Sequence, residues 1–205
     1  MKIYLLIIGF LTSLYANEEV LYSEKVKFDT INDPGYVYLV DGRSFYFGYI
    51  NNTFDVVYKW EQNQELSLIF TKEDGALLIN ERTNEKLQIQ NNSEHLLDAN
   101  LNQCLKSAQT TLSASDCYST YYDNLDSELN RLYKLLQKKL DKDMFLKIKE
   151  MQRSWIKFRD NSFKVEDELF YRTEGTIRLI EAPSRKAKTV KSQVAYLESI
   201  YFYSY

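Results

Sequence analysis

The chain has 205 residues, of which 44% are hydrophobic and 27% charged. That is enough apolar material for a core and argues against wholesale disorder. A single histidine, His95, and two cysteines, Cys104 and Cys117, exclude zinc sites built from Cys and His clusters and any triad that needs a second histidine. The formal net charge of −3 does not point to a globally basic nucleic-acid binder.

Residues 1–16, MKIYLLIIGFLTSLYA, read as a signal peptide. Lys2 is a short basic n-region, and Ile3 to Leu14 form an apolar h-region of the expected length. Ala16 followed by Asn17-Glu18-Glu19 predicts cleavage after Ala16, although Leu14 departs from the small residue preferred at that place. The stretch is short for a transmembrane helix, and an uncleaved N-terminal anchor is the alternative. The expected location is periplasmic or secreted, with no stable membrane insertion after cleavage. In such an oxidising compartment two cysteines are expected to pair.

Charge divides the remainder into two modules. Residues 17–92 carry 13 acidic and 7 basic residues, a net of −6; residues 93–205 carry 16 and 18, a net of +2. The acidic module would be attracted to a basic partner.

Within 17–92, runs rich in β-branched and aromatic residues recur at Tyr36–Val40, Arg43–Ile50, Phe54–Trp60, Glu65–Phe70, Ala76–Ile79 and Lys86–Ile89. Turn signals separate them: Asp33-Pro34-Gly35, Asp41-Gly42, Asn51-Asn52, Gln62-Asn63, Asp74-Gly75 and Thr83-Asn84. These tolerate the backbone that hairpins demand. The pattern predicts an antiparallel β-meander that buries one face, by curling into a small barrel or under the helices that follow. Phe54, Val56, Tyr58 and Trp60 are expected on one face of a strand. The polar candidates of this module, Asp41, Arg43, Asp55, Glu61 and Asp74, all lie at or near turns. No Gly-rich phosphate loop or nucleophile motif is present.

Residues 93–205 read as helices, giving an α+β chain. Ser93 caps a first helix running to about Gln109. Ser115 and Asp116 open a second that reaches Leu140, with Tyr121, Leu125, Leu129, Leu132, Leu136 and Leu140 on one face. A third runs from about Met144 to Tyr171, with Phe145, Ile148, Met151, Trp155, Phe158 and Ser162 as its buried stripe. Gly175 ends that pattern, and a last helix follows Pro183, from Ser184 to Tyr201. Short connections imply an antiparallel bundle. Cys104 and Cys117 fall at the first helical turn-around, where a disulfide would staple the hairpin; two free thiols are the alternative.

Two phrases stand out: Asp126-x-x-Leu129-Asn130-x-x-Tyr133-x-x-Leu136, and Gln152-Arg153-x-Trp155-x-x-Phe158-Arg159-Asp160. With the cysteine pair ahead of them, they resemble the family named after the N-terminal domain of the lysozyme inhibitor LprI, over Leu101 to Leu197. Many members carry a further cysteine just after the Arg-Asp pair and a fourth downstream; here Phe163 and other non-cysteine residues stand instead. Physics gives these residues a mainly structural role. Trp155 and Phe158 are expected in the buried stripe. Arg159 is expected to find a carboxylate such as Asp126 across the helix pair, with Asn130 or Gln152 completing the hydrogen bonds.

The resemblance implies an exported protein that binds, and thereby blocks, a lysozyme, with no catalytic group and no cofactor. A basic lysozyme would suit the acidic first module. A non-inhibitory envelope scaffold with another protein partner is the second reading. An enzyme acting on envelope carbohydrate is the third, since Asp55, Glu61, Asp126, Glu128 and Asp160 supply acids, but no spacing singles out a pair. The segment Arg172–Lys191, with six basic and two acidic residues, lacks the aromatic interleaving of a nucleic-acid platform.

Overall fold

The computed structural model describes residues 19–32, 35–48, 53–90, 95–172, 175–176 and 178–203. The signal-peptide reading of 1–16, the turn residues Asp33, Pro34, Asn51 and Asn52, and the Asn91–Ser93 break with its Ser93 cap lie outside them. The fold is α+β, a six-stranded antiparallel sheet followed by helices. The chain divides into two compact units between Leu96 and Leu97.

The first unit contains β1 (Val20–Asn32), β2 (Tyr36–Leu39), β3 (Ser44–Tyr46), a short helix α1 (Thr53–Val57), β4 (Glu65–Thr71), β5 (Gly75–Asn80) and β6 (Glu85–Gln88). Strand β1, the longest, is missing from the runs read in the sequence. Lys25, Lys27 and Asp29 point away from Tyr22, Val26 and Phe28, but Glu24 sits on the apolar side opposite Leu68 and masks the alternation. Glu24 is tolerated there because Arg43 pairs with it.

The strand order is β3-β2-β1-β4-β5-β6, all antiparallel, so the path departs from a simple meander. A register shift between Phe28 and Thr30 divides β1: its first part pairs with β4 and its last residues with β2. Such a bulge bends a strand and raises its twist. The two edges then meet, with Gln90 N–H donating to Tyr46 O at 2.7 Å. The sheet thus curls toward a small barrel-like form, one of the two ways of burying a face that the sequence left open. Leu66, Leu68 and Phe70 share a face with Leu78, Ala76 and Leu87, and all are buried. Ile69, Leu77 and Ile79, on the other face, are buried as well. His95 is also buried, its ring 5.3 Å from that of Phe70.

The run Phe54–Trp60 is not a strand. It forms α1 and a turn, closed by Trp60 N–H on Val57 O at 3.0 Å. Burial follows a three-residue step, Val57 with Trp60, while Tyr58 is 71% exposed. Trp60 stands edge-on to Phe28 at 5.7 Å and donates its indole N–H to Glu85 Oε2 at 3.2 Å. A tertiary slot for one tryptophan outweighs the β preference of the Phe-Asp-Val-Val-Tyr run.

The second unit holds the body of α2 (Leu96–Ser107), then α3 (Thr111–Lys139), α4 (Lys142–Tyr171) and α5 (Arg178–Tyr203). Helix α3 starts four residues before the expected Ser115. Thr110 caps it, its hydroxyl accepting from Ser113 N–H while the Ser113 hydroxyl accepts from Thr110 N–H, a reciprocal box that uses serine in place of the usual Glu or Gln. Asp141 caps α4 by accepting from Met144 N–H at 2.8 Å. Contacts such as Tyr122 to Phe163 and Tyr133 to Phe145 run in opposite senses along α3 and α4, so the pair is antiparallel. Contacts of Ser115 with Leu179 and Lys139 with Tyr201 run in the same sense, so α3 and α5 lie parallel.

Helix α5 begins at Arg178, and Pro183 lies inside it rather than before it. Proline lacks the N–H that would bond to the carbonyl four residues back, which is Leu179. Ser115 of α3 supplies the missing donor, its hydroxyl 2.7 Å from Leu179 O. Ser115→Ala is therefore expected to lower unfolding free energy by about 1 kcal/mol. In a Pro183→Ala background, residue 183 regains its N–H and the loss should shrink toward zero. Chemical denaturation of the four proteins measures the coupling; strictly additive losses would contradict it.

Candidate interaction surface

The two sequence phrases meet where α3 and α4 face each other. Their small offsets along each helix put Asp126, Asn130 and Tyr133 on one face of α3, and Gln152, Trp155 and Arg159 on one face of α4. Arg159 is the hub. Its Nη1 lies 3.6 Å from Asp126 Oδ1, and its Nε and Nη2 reach Asp160 Oδ1 at 2.9 and 2.8 Å. The guanidinium stands over Trp155 at 5.3 Å and near Phe163 at 6.0 Å, within the range of cation–π attraction. Asn130 donates from Nδ2 to Asp126 Oδ2 at 3.1 Å and to Asp126 O at 2.8 Å. The result is a shallow acid-rimmed patch: a mostly buried cation with Asp126, Asn130 and Asp160 around it at the surface.

Other motif residues go elsewhere. Leu129 is core. Tyr133 packs against Phe145 at 5.2 Å. Gln152 is buried, with no hydrogen-bond partner for Nε2 among the described residues. Arg153 is exposed. Phe158 is not in the buried stripe but 62% exposed. The packed face of α4 runs through Ile148, Gln152, Trp155, Arg159 and Phe163; Phe158 lies about a quarter-turn away from that line.

Two clusters escaped the reading of the sequence. Glu128 and Arg131 form a buried bidentate pair, both bonds 2.6 Å, in the apolar stripe of α3. Burial lowers the Arg131 pKa, but attraction to Glu128 and Glu198 outweighs it and holds the guanidinium charged. The signal was present as opposite charges three residues apart between Leu125, Leu129 and Leu132. The second cluster joins helices: Asp98 of α2 accepts from Tyr121 of α3 and from Lys191 of α5. Burial, then the Asp98 carboxylate, pushes the Tyr121 phenol far above its ordinary range. Cys104 and Cys117 form a disulfide beside it, Cα atoms 5.8 Å apart.

The polar candidates of the first unit do not converge. Asp41 is held below the usual carboxylate range by its hydrogen bonds from Arg43. Glu61 sits 3.8 Å from Arg82. Asp74 N–H bonds to Thr71 Oγ1 at the β4–β5 turn, and Asp55 is exposed in the first turn of α1. Among the described residues no group of His, Cys, Asp and Glu could hold a metal ion, and no helix is long and apolar enough to cross a membrane.

Replacing Arg131 by leucine strands a buried carboxylate and is expected to cost about 3–5 kcal/mol. Replacing Arg159 by leucine leaves only half-exposed acids and should cost about 1 kcal/mol or less; denaturant titration separates the two. Tyr121 gives a pH signature. A phenol whose pKa is raised by folding adds stability that is full below its ordinary value of 10.0 and is lost as pH climbs above it. Melting temperature followed from pH 8 to 11 should fall less steeply in Tyr121→Phe than in the parent; parallel curves would contradict this.

No curated protein and no solved structure matches the chain. A protein-family model does, over residues 102–197, a span that takes in Cys104, Cys117 and both phrases. Within its second unit, the chain carries the sequence pattern of the family described as lysozyme inhibitor LprI.

Proposed function

We propose that this is an exported envelope protein that binds a lysozyme and blocks its action on the cell wall. The match of residues 102–197 to the lysozyme-inhibitor family supports this reading above all. Inhibition of this kind needs a rigid complementary surface and no catalytic group. The acid-rimmed patch of Asp126, Asn130 and Asp160 around Arg159 is the contact surface in this reading. Trp155 and Phe163, against the Arg159 guanidinium, hold the patch in place from behind and touch nothing in the partner. A basic muramidase is the favoured target. The net charge of −6 over residues 17–92 would raise its encounter rate through long-range attraction.

The test is a lysis assay with the purified, disulfide-intact protein, a basic lysozyme and cell-wall substrate. Saturable loss of lysis near a one-to-one ratio is expected. Asp126→Asn combined with Asp160→Asn should raise the half-inhibitory concentration at least tenfold with the fold intact by circular dichroism. Raising salt from 50 to 500 mM should slow association. No inhibition by a folded, oxidised sample sinks this activity for that lysozyme, and the second reading, a binding module for another envelope protein, then takes its place.

A further inference from the structure

Helix α4 carries a second apolar line besides its packed face. Met144, Met151, Phe158 and Val165 recur every seven residues. Met144, Phe158 and Val165 are exposed large hydrophobics. The line spans about 32 Å of helix. A seven-residue period is the spacing that keeps a seam in contact with a second helix; Met151, within the line, is half-buried.

The residue before each member of this line is charged: Asp143, Glu150, Lys157 and Lys164. All four are exposed, and none has a partner among the described residues. The flank is therefore acidic in its first half and basic in its second. Laid antiparallel on a second copy of itself, it places Asp143 against Lys164, Glu150 against Lys157, and the same two pairs again on the other side of the axis. Laid parallel, the two charged flanks fall on opposite sides of the seam, and none of the four charges meets its complement. Charge of this arrangement beside an apolar seam selects both the partner and the direction.

We propose that two copies of this chain associate through α4, antiparallel, about a two-fold axis passing between Arg153 and Ser154. The line of Met144, Met151, Phe158 and Val165 forms the seam, and the four flanking charges fix the register. The interface is isologous, so it closes at a dimer. It is independent of the lysozyme reading and stands or falls separately.

Sedimentation equilibrium of the purified protein should give a dimer that dissociates on dilution. Lys157→Glu sets like charges together twice per dimer and should weaken it at least tenfold. Adding Glu150→Lys should restore it. Direction is read by cross-linking with a short thiol-reactive bifunctional reagent, since Cys104 and Cys117 are already joined. Ser154→Cys, beside the axis, should cross-link to itself. Asn161→Cys should not, because its two copies stand about 22 Å apart along the helices. Both substitutions are at exposed positions, and circular dichroism checks their fold. A monomer at every concentration overturns the proposal, as does cross-linking at both positions, which marks a parallel pair. A monomer that loses lysozyme binding on Phe158→Glu also overturns it, and assigns the seam to the muramidase instead.

Discussion

One apolar stripe on one helix organises the second unit. Tyr121, Leu125, Leu129, Leu132 and Leu136 of α3 are all buried, and each neighbouring helix makes a specific bond to α3. Helix α2 is tied by the disulfide and by Asp98, α4 by Arg159, α5 by Ser115 and Lys139. Burying five such side chains contributes roughly 2 kcal/mol each, but hydrophobic contact has no direction. The polar bonds supply direction. They sit near the two ends and the middle of α3, so sliding any helix by one turn would break at least one of them. Buried Glu128 and Arg131 satisfy each other within α3 itself.

The sequence made the apolar stripe of α3 legible because a helix repeats its burial every three or four residues. The ends were less legible. Helix α3 begins at Thr111 because Ser113 completes a box with Thr110, a substitution for Glu that pattern reading passes over. Helix α5 absorbs Pro183 because a hydroxyl 64 residues earlier meets the orphaned Leu179 carbonyl. Both outcomes rest on bonds that local preference does not encode. In the first unit, Glu24 hid β1 and the slot for Trp60 turned a strand-like run into α1. In each case a tertiary partner, Arg43 or Glu85, satisfied a group that local reading had to count as a cost.

The motif patch shows the same division. That Arg159 lies near Asp126 follows from helical spacing and from the need to neutralise a mostly buried guanidinium. Phe158 did not follow, because α4 has two apolar lines roughly a quarter-turn apart and a stripe read by eye merges them. Phe145 and Ile148 lie along the packed line, whereas Met144, Phe158 and Val165 lie along the exposed one. Burial, which the sequence does not print, separates them.

Rigidity is what makes the patch suited to recognition. A side chain ordered only on binding costs about 0.5–1.5 kcal/mol. Here that ordering is done on folding. Trp155 and Phe163 hold the Arg159 guanidinium from below, and it in turn holds Asp126 and Asp160, while Asn130 fixes the second oxygen of Asp126. Three solvent-facing polar groups are thus set before any partner arrives. Because the ion pairs are half-exposed, they add little to stability. The contrast between Glu128, enclosed and bidentate, and Asp126, held yet presented, separates the charge that locks the bundle from the charge left to meet something outside it.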